Sequence, residues 1–309
     1  MKRGWVGAAV ASLAYSLAAG QGQVDYSKLE VKTTELGHGV YLLGWRGGDS
    51  LILVGDEGVL LVDTSVAQMG EKIKAAIARV SNKPIRLIIN THAHPDHFGA
   101  NESLATNGAL IVGHDRLRER MASGQFLAAF NQSVPPSKPA ALPSITYSDA
   151  MTIHFDGETV QLFHPPRAHT DSDTLVYFKQ ANVIHASGTF GGAGTYPFFD
   201  MSSGGTLTGM IAAEERMLAL ADDKTTIIAD EGDPASTSAL RASRDMLVAV
   251  RGRIQKLIDE GKTEQESVAA KPTRDLDGQW MQHGGFMSGD RFTRLAYRSL
   301  TQARHPRAP

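Results

Sequence analysis

Over the first third of the chain, apolar residues come in short bursts cut by polar turns, and the bursts predict strands. Gly39 to Gly44, Ser50 to Gly55 and Gly58 to Asp63 are β-rich runs separated by Gly- and Asp-containing turns. Asp56, Glu57 and Gly58 form a hairpin signal between two of them. The period then changes. From Ser65 to Val80, the residues Val66, Met69, Ile73, Ala76, Ile77 and Val80 share one side of a helix. A buried strand over Pro84 to Asn90 follows. After it come a helix start at Asn101 to Ala105, a strand at Ala109 to Val112 and a basic helical turn from Arg116 to Met121. Residues 122–150 lose the pattern, with Pro135, Pro136, Pro139 and Pro143 set among Ser, Ala and Gln, and read as a loop or flap. Strand patterning resumes at Met151, with further strands at Thr159 to Phe163, Thr174 to Phe178, Asn182 to His185 and Thr226 to Ala229. Helices are predicted over Leu207 to Ala221, Ala235 to Glu260 and about Asp290 to Thr301. The long one carries a buried stripe of Leu240, Met246, Leu247, Val250, Ile254 and Leu257. This order of strands and helices fits a layered α/β sandwich.

The strand ending at Asn90 runs into His92, His94, Asp96 and His97. His92 and His94 are two apart, so in extended chain they point the same way. Pro95 bends the backbone, and Asp96 and His97 can then be presented in a second direction. That geometry suits two adjacent metal positions. A solvated, His-rich turn would be the reading for one histidine, but not for this spacing after a buried strand.

The 309 residues are 42% hydrophobic and 21% charged, with a formal charge of −2. This is ordinary globular composition. The near-neutral balance gives no reason to expect nucleic acid or an anionic surface as partner, which leaves a small-molecule substrate. There is no cysteine, so any metal site must use His, carboxylate and water. Lys2 and Arg3, the apolar run from Trp5 to Leu17 and the small residues Ala18, Ala19 and Gly20 have the layout of a secretory signal over 1–20. The expected mature domain is 21–309, periplasmic or secreted, with no stable membrane insertion after cleavage. Oligomeric state is not legible.

On these residues the chain resembles the metallo-β-lactamase superfamily, over nearly all of the mature region. His92, His94, Asp96 and His97 match its H-x-H-x-D-H signature, and the strand ending at Asp63 resembles the segment before its first helix. Ala168 to Asp173 resembles its G-H-T-x-G-D. The resemblance implies a four-layer αβ/βα sandwich, with the site on loops at the common edge of two sheets. It also implies one or two zinc ions and a bridging hydroxide. Carried over, His92, His94 and His169 would hold the first zinc, three imidazoles and a water being the open arrangement of catalytic zinc. Asp96 and His97 would belong to a second metal. Asp96 would also orient the hydroxide and pass a proton to the leaving group. Asp63 would fix a ligand, or else cap a turn. Asp171 and Asp173 would cap local backbone rather than bind metal.

The chain departs from the family at two positions. The carboxylate that bridges both metals in many members falls at Gly188, and the last second-metal histidine falls at Glu231. Either Asp96, His97 and Glu231 hold a second, harder site tilted toward Mn or Fe, or that site is vacant or labile. Asp230 and Asp233 could replace Glu231. The expectation is one tightly bound zinc and a second weakly bound or absent. Gly188→Asp with Glu231→His should then tighten the second metal. Branches of the family acting on thioesters, phosphodiesters and lactones usually keep the bridging Asp, whereas true β-lactamases lack it. The resemblance therefore implies a zinc-dependent hydrolase, with a β-lactam as the first substrate and a lactone or other ester as the second. A degenerate metal- or ligand-binding protein is the reading from another class. Tyr196, Phe198 and Phe199 either line the pocket or pack their loop. His164 and His185 read as strand-end or core histidines, and His38, His114, His154, His283 and His305 carry no partner pattern.

Overall fold

The structure is a computed structural model and describes residues 24–45, 47–230, 232–282 and 286–304. The segment read as a secretory signal, and Glu231, lie outside the described residues. The elements run β1 (Lys32–Gly37), β2 (Val40–Gly44), β3 (Ser50–Val54), β4 (Val59–Val62), α1 (Gly70–Ala78), β5 (Ile85–Ile89), α2 (Pro95–Phe98), α3 (Asn101–Leu104), β6 (Leu110–His114) and α4 (Asp115–Ser123). Next come β7 (Gln125–Leu127), β8 (Gln132–Val134), β9 (Ile145–Tyr147), β10 (Ala150–Phe155), β11 (Glu158–Phe163), β12 (Leu175–Phe178) and β13 (Val183–His185). The chain ends with α5 (Leu207–Leu220), β14 (Thr226–Ile228), β15 (Ala235–Ser236), α6 (Thr237–Asp259), α7 (Glu264–Ala269), α8 (Asp277–Trp280) and α9 (Gly289–Arg304).

Two mixed sheets carry the architecture. The first has the order β1-β2-β3-β4-β5-β6-β9, the second β10-β11-β12-β13-β14-β15. In each, antiparallel hairpins give way to parallel pairing: β4 with β5 in the first sheet, β13 with β14 in the second. Alternation along the strands then sorts the apolar residues into layers. Leu51, Leu53, Leu60, Val62, Ile89 and Val112 point from the first sheet toward Val160, Leu162, Val176, Phe178, Val183 and Ile228 of the second. Their sequence neighbours Ile52, Leu61, Ile88 and Ile111 point the other way, onto Ile73 and Ile77 of α1 and Leu104 of α3. Leu175, Ile184 and Ile227 likewise turn outward onto Met217 of α5 and Leu240 of α6. Four layers, αβ/βα, follow from this one parity rule. Truncating any of these fully buried leucines to Ala would cost about 2–5 kcal/mol.

Most predicted elements stand, with edges shifted. The helix from Ser65 opens as a 3-10 turn at Ala67–Met69 before α1, and the long helix begins at Thr237, because Ala235 and Ser236 first pair with β14. Residues 122–150 are not a plain loop. They hold the β7–β8 hairpin, and β9 adds to the first sheet parallel to β6. These strands are three residues each, too short to show a period.

Candidate metal centre

Parallel pairing puts the ends of β4 and β5 side by side, and the site starts there. Asp63 N donates to the Ile89 carbonyl at 2.8 Å, so Asp63 and the loop after β5 leave the sheet together. In the second sheet, Ala186 N donates to Ile228 O at 2.8 Å, so the chain after β13 and the chain after β14 do the same. The His169 loop, between β11 and β12, is stitched to the His92 loop. Thr174 N donates to Thr91 O at 2.7 Å, and Ala93 N to the Ser172 hydroxyl at 3.1 Å. Asp63, Ser65 and Ser187 take left-handed backbone, with φ of 60°, 65° and 54°. Such conformations persist only where the surroundings over-determine them.

His92, His94 and His169 come together in one buried cluster. His94 Nδ1 lies 3.2 Å from His92 Nε2 and 3.1 Å from His169 Nε2. The outer nitrogens decide what these inner ones present. His169 Nδ1 faces the Phe198 carbonyl at 2.9 Å, so it carries the ring proton and donates it. His94 Nε2 faces Asp200 Oδ2 at 3.2 Å and donates likewise. The Thr91 hydroxyl gives its proton to Asp63 Oδ2 at 2.6 Å, so toward His92 Nδ1, 3.1 Å away, it can only accept. The Ser187 hydroxyl, also 3.1 Å away, can accept there too, so His92 keeps its proton on Nδ1 when Nε2 ligates a metal. Three lone pairs are left facing one point. Without a cation they repel; with one they ligate. Burial first, then the rings of His97, His169 and His94, hold His92 well below the usual imidazole range. Burial, then His94, brings His169 down to about 3. Both rings are neutral at pH 7, the form that binds metal. The set fits a zinc-type ion with one open position.

His92, His97 and Asp230 form a second cluster. His97 Nδ1 donates to Asp63 Oδ2 at 2.7 Å. Its Nε2 is turned to Asp230 Oδ1 at 3.2 Å and Asp96 Oδ2 at 3.7 Å. His97 Nε2 and Asp230 Oδ1 are both buried and neither has a hydrogen-bond partner. Burial opposes a charge on His97, but the carboxylates of Asp230, Asp63 and Asp96 outweigh it and hold the imidazole well above its usual range. Burial pushes Asp230 up to about 6 against the pull of His97. Asp96, with its side chain 24% exposed, stands at the open side of this cluster. Among the described residues, Asp230 is the carboxylate that the loop after β14 brings to His97, while Asp233 is exposed.

Other expectations resolve in the same region. Asp63 is no mere turn carboxylate: its oxygens take Thr91 N at 2.8 Å, the Thr91 hydroxyl and His97. Asp173 caps Thr170, accepting its backbone N–H at 2.9 Å and its hydroxyl at 2.7 Å. Asp171 does not act as a cap. It pairs with Arg120 of α4 at 2.6 and 2.8 Å and ties that helix to the His169 loop. Gly188 leaves no room for a bridging carboxylate, since a Cβ there would lie 2.3 Å from His169 Cδ2. Tyr196 and Phe199 are buried and pack the loop, whereas the partly exposed Phe198 ring stands edge-on to His169 at 5.8 Å. Phe130 and Phe286 each lie 5.6 Å from Phe198 and extend that apolar wall. His185 is a core histidine, as expected, and burial brings it down to about 4. His114 does have a partner: its ring stacks on His164 at 3.6 Å. Asp200 was missed, because a lone carboxylate in a loop beyond Phe199 has no spacing that ties it to His94.

The sequence model of the metallo-beta-lactamase superfamily matches residues 43–254, from β2 into α6. Among curated proteins, the alpha subunit of 2,4-dinitroanisole O-demethylase from Nocardioides sp. (strain JS1661) is 27% identical over 153 residues, 48% of this chain and 42% of that protein. The linear primary-alkylsulfatase of Pseudomonas sp. (strain ATCC 19151) is 24% identical over 254 residues, 69% of this chain and 47% of that protein. The chain spans less than half the length of either relative. Among solved structures, the stereoselective inverting sec-alkylsulfatase Pisa1 from Pseudomonas sp. superposes with a TM-score of 0.67 at 18% identity, over 87% of this chain and 50% of that one. A metallo-beta-lactamase from Pontibacter korlensis superposes with a TM-score of 0.59 at 18% identity, over 71% of this chain and 99% of that one. These likenesses show the fold. With the family match running through both sheets and all the strand ends that build the site, the chain belongs to the metallo-β-lactamase superfamily.

Proposed function

We propose that the chain is a metal-dependent hydrolase of a small molecule, with His92, His94 and His169 as the ligands of one zinc ion. The observation that carries this is the convergence of three imidazole lone pairs whose outer nitrogens are all engaged. A zinc ion held there supplies Lewis acidity and brings the pKa of a water to about 7. Asp96, His97 and Asp230 are the donors of a second, weaker position; the buried, unpartnered His97 Nε2 and Asp230 Oδ1 support it. Asp63 holds the His97 ring in place. With that second position empty, Asp96 takes a proton and delivers it to a leaving group. Phe198 excludes water on the side of His169 and offers an apolar surface to the substrate.

For the substrate we propose an ester-type bond in a small molecule with an apolar group. The apolar wall at Phe198 supports this, and so does the relative that is an alkylsulfatase by name. A β-lactam is the second reading; the glycine at 188 and the likeness to the Pontibacter korlensis protein support it. Periplasmic or secreted location remains part of this proposal, on the basic and apolar pattern of the first twenty residues. The test is a panel of alkyl sulfates, carboxylic esters, lactones and a chromogenic β-lactam at known metal content. Turnover on the first two classes, lost in His94→Ala, is the expected result. Turnover on the β-lactam alone would support the second reading. Bound metal with no turnover on any class would make the chain a binding protein.

A further inference from the structure

Asp200 lies between Phe199 and a 3-10 turn at Met201–Ser203, and is only 2% exposed. Its Oδ2 receives His94 Nε2 at 3.2 Å and the Ser203 hydroxyl at 2.7 Å. Its Oδ1 receives the Ser202 backbone N–H at 2.9 Å and the Ser202 hydroxyl at 2.5 Å. Three of these four bonds come from its own loop, so the carboxylate is held in place by its neighbours as well as by His94. The same residue also grips a second imidazole through the backbone. Asp200 N donates to the His169 carbonyl at 2.7 Å, and two residues earlier the Phe198 carbonyl receives His169 Nδ1 at 2.9 Å. Thr206 N closes the loop onto Ala168 O at 2.9 Å. The fit is tight: a Cβ at Gly205 would lie 2.2 Å from the His169 carbonyl oxygen. Residues 198–206 therefore form a clasp that holds one imidazole by its ring and backbone and another by its ring.

A carboxylate on the far nitrogen of an imidazole does two things. It fixes which nitrogen keeps the proton, and it makes the opposite nitrogen a stronger donor. A neutral acceptor would do only the first. We propose that Asp200 is a positioning residue for the metal centre: it presents His94 with Nδ1 unprotonated and raises its donor strength, and its loop keeps His94 and His169 in register. This rests on reading the three imidazoles as a metal site.

The test uses wild type, Asp200→Asn and Asp200→Ala of the full chain, each freed of metal and titrated with zinc and with cobalt(II) against a competing chelator. The absorption spectrum of the cobalt form reports the ligand field at the ion. Asp200→Ala should bind about 10–100-fold more weakly, the cost of losing an outer partner of a metal-bound histidine, with an altered cobalt spectrum. Asp200→Asn keeps an oxygen acceptor and should lose less affinity, yet still shift the spectrum because the charge is gone. A purely structural role would lower the melting temperature of the metal-free variants and leave affinity and spectrum of the folded protein unchanged. That result, in Asp200→Ala or, if Ala does not fold, in Asp200→Asn, overturns the proposal. If wild type binds no ion, the metal reading itself falls, and this falls with it. If wild type binds and the variants match it, only the role of Asp200 falls.

Discussion

Around His92, His94 and His169, each outer ring nitrogen is spoken for, by the Thr91 hydroxyl, Asp200 and the Phe198 carbonyl. Around His97 the picture is mixed. Nδ1 is held by Asp63, but Nε2 faces Asp230 Oδ1 at 3.2 Å with no hydrogen bond between them. The first cluster is assembled from two loops stitched to each other by backbone bonds. The second draws its last donor from the chain after β14, next to Glu231. It is also richer in oxygen, which suits harder ions and weakens the hold on zinc. Outer partners orient the donors of the first cluster more completely than those of the second, and the proposal of one firmly held ion and one weaker one rests on that difference together with the donor types.

The comparison can be broken most directly at the first cluster. His94→Ala or His169→Ala should lose the tightly held ion and reduce hydrolysis to background. The loss should exceed the about 10–100-fold expected for any outer partner; metal content and turnover measured together check it. Asp63→Ala comes next. It should weaken the second ion by about 10–100-fold. It should also destabilise the metal-free protein, because Thr91 N–H, buried in the site, loses its acceptor at about 1–3 kcal/mol; denaturant unfolding without metal reads the second effect. Gly188→Asp sharpens the contrast in an unexpected direction. The sequence suggests that, combined with Glu231→His, it should tighten the second ion. The structure puts the new Cβ 2.3 Å from the His169 ring, so it should instead displace that ring and loosen the first ion. Retention of the first ion with a tighter second one would refute this. The mildest effect is chelation of wild type. A brief treatment should leave about one ion per chain. Stripping that one should lower the melting temperature by roughly 5 °C or more, as expected for losing a ligand present at about 100 times its dissociation constant.

Much of this was legible because two periods carry it. Strands β2 to β5 alternate or run fully apolar, and α6 repeats on one face, so type and order follow from pattern alone. The cluster of His92, His94, Asp96 and His97 was legible because its members are adjacent in sequence. His169 and Asp63 needed the family resemblance. What stayed hidden depends on contacts made across long stretches of chain. Asp200 meets His94 across 106 positions, and Arg120 meets Asp171 across 51. The β7–β8 hairpin is too brief to show alternation. His114 and His164 sit at the ends of strands in different sheets, and only the packing of those sheets stacks their rings.

Asp63 holds both Thr91 and His97 from a backbone at φ 60°. Asp and Asn tolerate that conformation; longer or branched side chains do so poorly. A glutamate would keep the charge but carry an extra methylene into a corner with under 2% exposure. The first residue beyond β4 is therefore restricted in length as well as in charge. The rest of that sheet can drift within the limits of hydrophobic packing, but this corner cannot.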